Sequence, residues 1–397
     1  MKDYIFINGG FKKDVPSLEE VVIIQDVPHF ANQAKPDEIN DFVNSVTHVN
    51  IYKYTTQYIN TRIYHHQQNI NKNYLRKIRT MEKIEHSTIT TNGINMHVAS
   101  IGTGPAILFL HGFPELWISW RHQMLSLSSL GYRCIAPDLR GYGDTDAPPS
   151  PASYTALHVV GDLVGLLDHL GIEQVLLVGH DWGAAMAWYL CLLRPDRVKA
   201  LVNLGVVFIH RNPHVKFFDE RFKTLMGDDF YICRFQEEIG EIDQELGSVD
   251  TATVLKIFHT SFDTTPLIIP KGGLGLLKLV EPLPSWLSQD YINYCANKFN
   301  QKGFTGGVNY YRALNLNWEL LAPWTESQIK VPTKFISGDK DSTYCFLGGK
   351  EYIESGEFKK DVPSLQEVVI IEGVGHYINQ ARPEEITTHI YEFINKY

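Results

Sequence analysis

The chain has 397 residues, 45 of them acidic and 36 basic, for a formal charge of -9, and 44% are apolar. That length and apolar share suit a large α/β core with an insertion better than two unrelated domains. The negative balance speaks against nucleic acid or an anionic membrane surface as partner, and the sequence is compatible with an oligomer.

The five cysteines, Cys134, Cys191, Cys233, Cys295 and Cys345, are odd in number and widely spaced. They form no CxxC or Cys/His pattern, so they read as reduced thiols of a cytoplasmic protein. No signal peptide opens the sequence, and no apolar run reaches the ~18 residues of a membrane span.

The N-terminal stretch is a repeat. Phe11-Lys-Lys-Asp-Val-Pro-Ser-Leu18 recurs at Phe358–Leu365, Val21-Val-Ile-Ile24 at Val368–Ile371, and His29 falls on His376. Two copies are too few for a solenoid. Residues 1–46 therefore read as a partial duplicate of the C-terminal strand, histidine loop and helix start. Such a piece cannot bury its own apolar face. Residues 47–80, rich in Asn, Gln, Tyr and His without a period, read as a disordered linker.

Asn92-Gly93 between Ile84–Thr91 and Ile94–Ile101 signals a hairpin. Ala106–Leu110 is a buried strand ending in His111-Gly112-Phe113-Pro114, and His111 reads as a satisfied buried histidine. Ser119–Leu130 predicts a helix and Tyr132–Pro137 a strand. Tyr154–Leu170 predicts another helix, with Leu157, Val160, Val164 and Leu167 on its apolar face. The βαβα alternation implies an α/β fold, a mostly parallel sheet with helices on both faces.

Val175–Val178 is a further buried strand, and Ala184 onward a helix. Between them stands Gly179-His180-Asp181-Trp182-Gly183, the small-x-nucleophile-x-small spacing of a nucleophile elbow. The lifted side chain is a carboxylate, not a serine hydroxyl. A carboxylate can displace a leaving group from saturated carbon and form an alkyl ester that water must then hydrolyse. The plainer alternative is that Asp181 only caps the following helix.

Residues 211–322 break the alternation: strand signals thin out, and amphipathic stretches such as Phe217–Leu225 and Leu287–Phe299 dominate. They read as a helical lid between two parts of an α/β core, residues 81–210 and 323–397. The core resumes with Pro332–Ser337 and Gly338-Asp339-Lys340-Asp341. Val368–Glu372 is the last strand, Gly373-Val-Gly-His376 its loop, and Pro383 starts the last helix.

With these motifs in this order, the sequence from Met81 to Tyr397 resembles the epoxide hydrolases of the α/β-hydrolase superfamily, most closely the soluble plant enzymes. The likeness rests on His111-Gly-Phe-Pro114, Gly179-His-Asp-Trp-Gly183, Asn309-Tyr-Tyr-Arg312, Gly338-Asp-Lys-Asp341 and Gly375-His376. It implies that Asp181 is the nucleophile, His376 the general base and Asp341 the charge-relay acid, the nucleophile-acid-base order of that fold. Tyr231 and Tyr311 would be the acids on the epoxide oxygen, with Phe230 and Tyr310 the neighbours most easily confused with them. The backbone N–H groups of Phe113 and Trp182 would form the oxyanion hole. Pro114 and Glu115 would contact substrate or water, an exposed loop glutamate being the plainer reading of Glu115. Asp138 and Arg140 would hold structure only.

After Gln236 this sequence departs from the family, with Glu237-Glu238-Ile239-Gly240 in place of an acidic-Pro-Gly turn. The resemblance implies a small-molecule epoxide as substrate, fatty-acid or aryl/alkyl, a vicinal diol as product, and neither metal nor organic cofactor. A haloalkane or haloacid dehalogenase would share the aspartate elbow but lack the tyrosine pair. A non-catalytic ligand receptor would not need Asp181, Asp341 and His376 together.

Overall fold

The computed structural model describes residues 83–261 and 266–397. The expected duplicate at residues 1–46 and linker at 47–80 lie outside them. Eight strands form one sheet in the order β1-β2-β4-β3-β5-β6-β7-β8. The hairpin of β1 (Glu85–Thr91) and β2 (Ile94–Ile101) turns at Asn92-Gly93 and pairs antiparallel with β4 (Arg133–Pro137). From β4 on, β3 (Ala106–Leu110), β5 (Val175–His180), β6 (Val198–Leu204), β7 (Thr333–Gly338) and β8 (Leu365–Ile371) run parallel.

Parallel strands covered on both faces need apolar side chains on both faces. Every residue of β5 and of β7 is buried. β8, at the sheet edge, alternates and leaves Val368 38% exposed. Strand β6 is one that the sequence reading did not name.

Helices α1 (Arg121–Ser129), α2 (Ala156–His169) and α3 (Trp182–Leu193) connect the central strands. In α2 the Thr155 side chain accepts from the His158 N–H and caps the first turn. Its buried stripe is Val159, Val160, Leu163, Leu166 and Leu167, and Leu157 faces out, which shifts the expected stripe by part of a turn. Each such side chain taken fully from water contributes roughly 1.5–3 kcal/mol.

Between β6 and β7 the described residues hold seven α-helices: α4 (Glu220–Met226), α5 (Tyr231–Phe235), α6 (Glu241–Ser248), α7 (Thr251–Thr260), α8 (Gln289–Lys302), α9 (Thr305–Arg312) and α10 (Leu314–Leu320). α8 buries Tyr291, Ile292, Cys295, Ala296 and Phe299, a stripe at helical spacing, and opens at Ser288, whose hydroxyl accepts the Tyr291 N–H. Short α5 has too few turns to hold itself. Its buried Arg234 anchors it, donating to the Ile269 carbonyl at 2.6 Å and to Glu237 and Glu245 at 3.0 and 2.6 Å. The chain closes with α11 (Ser342–Cys345), α12 (Gly349–Glu354), α13 (Glu357–Asp361), α14 (Ile378–Ala381) and α15 (Pro383–Ile394). No described helix is long and apolar enough to cross a membrane.

Candidate active site

Asp181 stands between β5 and α3 with φ 53° and ψ -121°, a left-handed conformation that a non-glycine residue rarely adopts. Its side chain makes no capping hydrogen bond to α3, which sets the cap reading aside. The strain sits on the aspartate itself. The flanking glycines serve close approach instead: a Cβ on Gly179 would meet the Gly183 carbonyl at 2.6 Å, and one on Gly183 would run into the Leu110 carbonyl.

The elbow aims the carboxylate at two partners. Oδ1 accepts the Phe113 N–H at 2.7 Å, and Oδ2 lies 3.3 Å from His376 Nε2. Trp182, next in sequence, is the first residue of α3, so its N–H is one of those that a helix start leaves without an intrahelical acceptor. The Phe113 ring packs on Phe235, Phe258 and Tyr311 at 5.5, 5.2 and 5.6 Å, which fixes the loop that presents its N–H.

His376, on the loop after β8, turns Nδ1 to Asp341 Oδ1 at 2.9 Å. That oxygen also accepts the Thr343 N–H at 2.9 Å and lies 2.8 Å from the Thr343 hydroxyl. Burial alone would raise the Asp341 carboxyl, but His376 and the Thr343 donors hold it below the usual range. Burial alone would lower the His376 imidazole. Asp341 on one nitrogen and Asp181 on the other outweigh it and raise its pKa well above the ordinary value.

Asp181 lines a cavity of about 500 Å³ together with Trp182, Tyr231 and Tyr311. Tyr231 opens α5 and Tyr311 lies on α9, and their rings meet edge-on at 5.8 Å. Burial, with the Asp181 carboxylate near, pushes the Tyr231 phenol far up; burial, with Tyr231 and Asp181 near, does the same to Tyr311. Both therefore stay protonated as hydrogen-bond donors. Their neighbours cannot take this part. Phe230 has no hydroxyl, and the buried Tyr310 spends its own on the Arg140 carbonyl at 3.0 Å. The altered turn after Gln236 leaves α5 tied to α9, because the Gln236 amide donates to the Tyr311 carbonyl at 2.7 Å.

Residues 105–247 match the family described as alpha/beta hydrolase fold. Over 318 residues the chain is 66% identical to epoxide hydrolase 2 of Siraitia grosvenorii, covering 80% of this chain and 100% of that one. The chain belongs to the epoxide hydrolases. It is also 37% identical to an epoxide hydrolase of Caballeronia sordidicola, over 78% of this chain and 94% of that protein. Among solved structures, an epoxide hydrolase from Vigna radiata has a TM-score of 0.77 at 57% identity, covering 80% of this chain and 99% of that one. One from Solanum tuberosum has 0.76 at 55%, covering 79% and 100%.

In this epoxide hydrolase, Pro114 and Glu115 are not among the residues lining the cavity, and Glu115 is not the exposed loop residue of its plainer reading. It is fully buried, with Oε2 at 2.8 Å from His180 Nδ1 and Oε1 accepting from Gln380 at 2.9 Å. Burial alone would raise its carboxyl; His180 against it holds it down at about 2. The other His180 nitrogen meets the His376 carbonyl at 2.9 Å. Glu115 and His180 thus fasten the backbone that carries His376. His180 and Thr343 went unnoticed in the sequence, where His180 reads only as the x of the elbow.

His111 is the satisfied buried histidine expected, against the Gly112 carbonyl at 2.8 Å and accepting the Leu139 N–H at 3.0 Å. Asp138 and Arg140 are buried away from the cavity, the first on His97 and the second on Asp162. Among the described residues no group of three or more His, Cys, Asp or Glu is placed to hold a metal ion.

Proposed function

We propose that Asp181 Oδ2 attacks an epoxide carbon while Tyr231 and Tyr311 hydrogen-bond the ring oxygen. The new C–O bond forms as the ring C–O bond breaks, and a phenol hands its proton to the departing alkoxide. The observation that carries this reading is the placement of Asp181, Tyr231 and Tyr311 on the wall of one cavity.

Alkylation removes the charge of Asp181, one of the two carboxylates that hold His376 in its protonated form. The proton affinity of His376 then falls, and the imidazolium gives its proton up to solvent. A base is needed only after the ester has formed, so the first step prepares the second. His376, kept in place by Asp341, takes a proton from water that attacks the ester carbonyl carbon. The oxyanion forms where Oδ1 already meets the Phe113 N–H, with the Trp182 N–H as second donor, at about 3 kcal/mol for each donor. Collapse expels the alkoxide, which takes the proton of the newly formed carboxylic acid, so that the Asp181 carboxylate returns and a vicinal diol leaves, the phenolate regaining its proton from solvent.

The diol oxygen at the attacked carbon comes from Asp181, and the solvent oxygen enters the carboxylate. A single turnover with excess enzyme in H₂¹⁸O should release unlabelled diol and leave ¹⁸O in the peptide bearing Asp181. Label in the first-turnover diol would mean direct attack by water.

A further inference from the structure

We propose that the mouth of the cavity carries a polar subsite without net positive charge, His210 and Tyr352 gathered on Asp361, that selects long apolar epoxides ending in a hydroxyl over those ending in a carboxylate. The inference deepens the reading of Asp181 and the two tyrosines as the reacting end of the same cavity.

Exposure locates the two ends. The Asp181 side chain is 14% exposed, and Tyr231 and Tyr311 are buried, whereas His210 is 49% exposed and its cavity-lining neighbour Ile209 57%. The same wall includes Trp188, Val206, Phe208, Phe222, Ile232 and Leu314, so an alkyl or ring skeleton is the part of a substrate that suits it. Three other polar lining residues use their side-chain oxygens inside the protein. Asn317 accepts the Ala156 N–H, Asn212 the His214 N–H, and the Thr343 hydroxyl bonds Gly205 and Asp341.

At the mouth, His210 Nδ1 lies 2.9 Å from Asp361 Oδ2, and the Tyr352 hydroxyl donates to the same oxygen. With Nδ1 so engaged, the imidazole has Nε2 left for a ligand, where a hydroxyl can donate or accept. A carboxylate finds no such welcome. Among the described residues no lysine or arginine lines the cavity. Nearby Arg211 is spent on the Trp318 carbonyl and the Thr325 hydroxyl, its guanidinium 4.2 Å from the Trp318 ring centre. Within the cluster itself Asp361 offsets even a protonated His210, so His210, Tyr352 and Asp361 together carry no net positive charge.

The test uses the full chain and three long-chain terminal epoxides that differ only at the far end, as methyl, hydroxyl or carboxylate, with an aryl epoxide as control. kcat/KM should be roughly tenfold higher for the hydroxyl than for the methyl compound, and lowest for the carboxylate, one good hydrogen bond being worth about a factor of ten. His210→Phe should erase the hydroxyl advantage and leave the methyl and aryl substrates unchanged. Asp361→Asn should raise turnover of the carboxylate severalfold. A wild-type preference for the carboxylate, or equal losses on all substrates in His210→Phe, overturns the subsite while the aryl control still turns over. Loss of the aryl reaction in wild-type enzyme would instead sink the underlying reading of the site.

Discussion

Among the described residues stand two buried aspartate–histidine pairs, nearly identical in geometry and different in surroundings. His376 Nδ1 lies 2.9 Å from Asp341 Oδ1, and His97 Nδ1 lies 2.8 Å from Asp138 Oδ2. Each aspartate also accepts a backbone N–H at 2.9 Å, from Thr343 or Trp117, and each is essentially without exposure. The difference lies at the far imidazole nitrogen. His376 faces a carboxylate on a strained elbow, in the wall of a cavity, at 3.3 Å; His97 faces His86, an exposed residue of the outer strand β1, at 2.9 Å. A fixed, oriented imidazole is therefore a common structural device, and it becomes a base only where a group that needs one is held against it.

Removing the group that distinguishes the two pairs should have the largest effect. Asp181→Ala should lower turnover by at least about ten-thousandfold, as the loss of a nucleophile does elsewhere. His376→Gln should still be alkylated, since attack precedes the need for a base. Mass spectrometry of that variant after brief exposure to substrate should show one adduct on the peptide containing Asp181. An unmodified protein that still binds substrate would break the two-step scheme. No variant of His97 should accumulate such an adduct.

The contrast between the pairs also explains what could be read from sequence. Asp181, Asp341 and His376 each sit in a short motif at the end of a strand, because the turn from strand to loop needs glycine nearby and so leaves a local signature. Fold class and most strands follow from the same local signals. Tyr231 and Tyr311 line the cavity and Phe230 and Tyr310 do not, but in the sequence only the family pattern singles the first two out, since an aromatic that lines a cavity and one that packs beneath it look alike in a periodic stretch. Glu115 was misjudged because its partner His180 is 65 residues away. A Pro-Glu loop dipeptide looks exposed until the strand beside it is known. The His97–Asp138 pair, 41 residues apart, carried no signal at all.

The next largest effect should come from Tyr231 and Tyr311, the proposed acids. Tyr231→Phe or Tyr311→Phe should each slow ester formation about tenfold to a hundredfold, with one phenol left to donate, and the double change should be far worse than the product of the two. Rapid-quench measurement of the alkylation step would show it, because hydrolysis of the ester should be nearly untouched. Tyr310→Phe, losing only a bond to the Arg140 carbonyl, should behave as wild type in that step and lose about 1 kcal/mol of stability. Equal slowing by Tyr310→Phe would show that the acids stand one residue away from the positions proposed for them.

A third change separates structure from chemistry. Asp138→Asn keeps the shape but removes the charge that His97, the Trp117 N–H and the Asp144 N–H all address. Stability should fall by about 2–4 kcal/mol, the usual cost of leaving a buried partner unpaired, measured by denaturant unfolding at constant slope. Activity per folded molecule at 25 °C should stay within twofold. The matching change Asp341→Asn should do the reverse, costing turnover far more than fold and moving the acid limb of the ester-hydrolysis rate to lower pH, because the neighbour that holds His376 protonated is gone. If Asp138→Asn cost activity as heavily as Asp341→Asn, the two pairs would not be separable as argued.

The smallest effect concerns His86, which completes the structural pair. Partial burial, and then the neighbouring His97, lower its pKa from the ordinary histidine value. Asp138 and Asp144 pull the other way, and Lys298 adds to the lowering, so burial and the charges around it together leave a net preference for the neutral ring. A base whose folded pKa is depressed binds fewer protons folded than unfolded. Stability from this group is therefore complete above about pH 6.5, the unfolded value, and is lost as pH falls from there toward the lower folded value. The contact between Nδ1 of His86 and Nε2 of His97 at 2.9 Å adds to the effect of burial, because only one proton fits between the two nitrogens. His86→Gln can still donate one hydrogen bond but cannot be protonated. It should leave activity and melting temperature at pH 7.5 unchanged and reduce the drop in melting temperature between pH 7 and pH 5.5 by one or two degrees. An unaltered drop would mean that the acid sensitivity of this face comes from groups other than the His86–His97 contact.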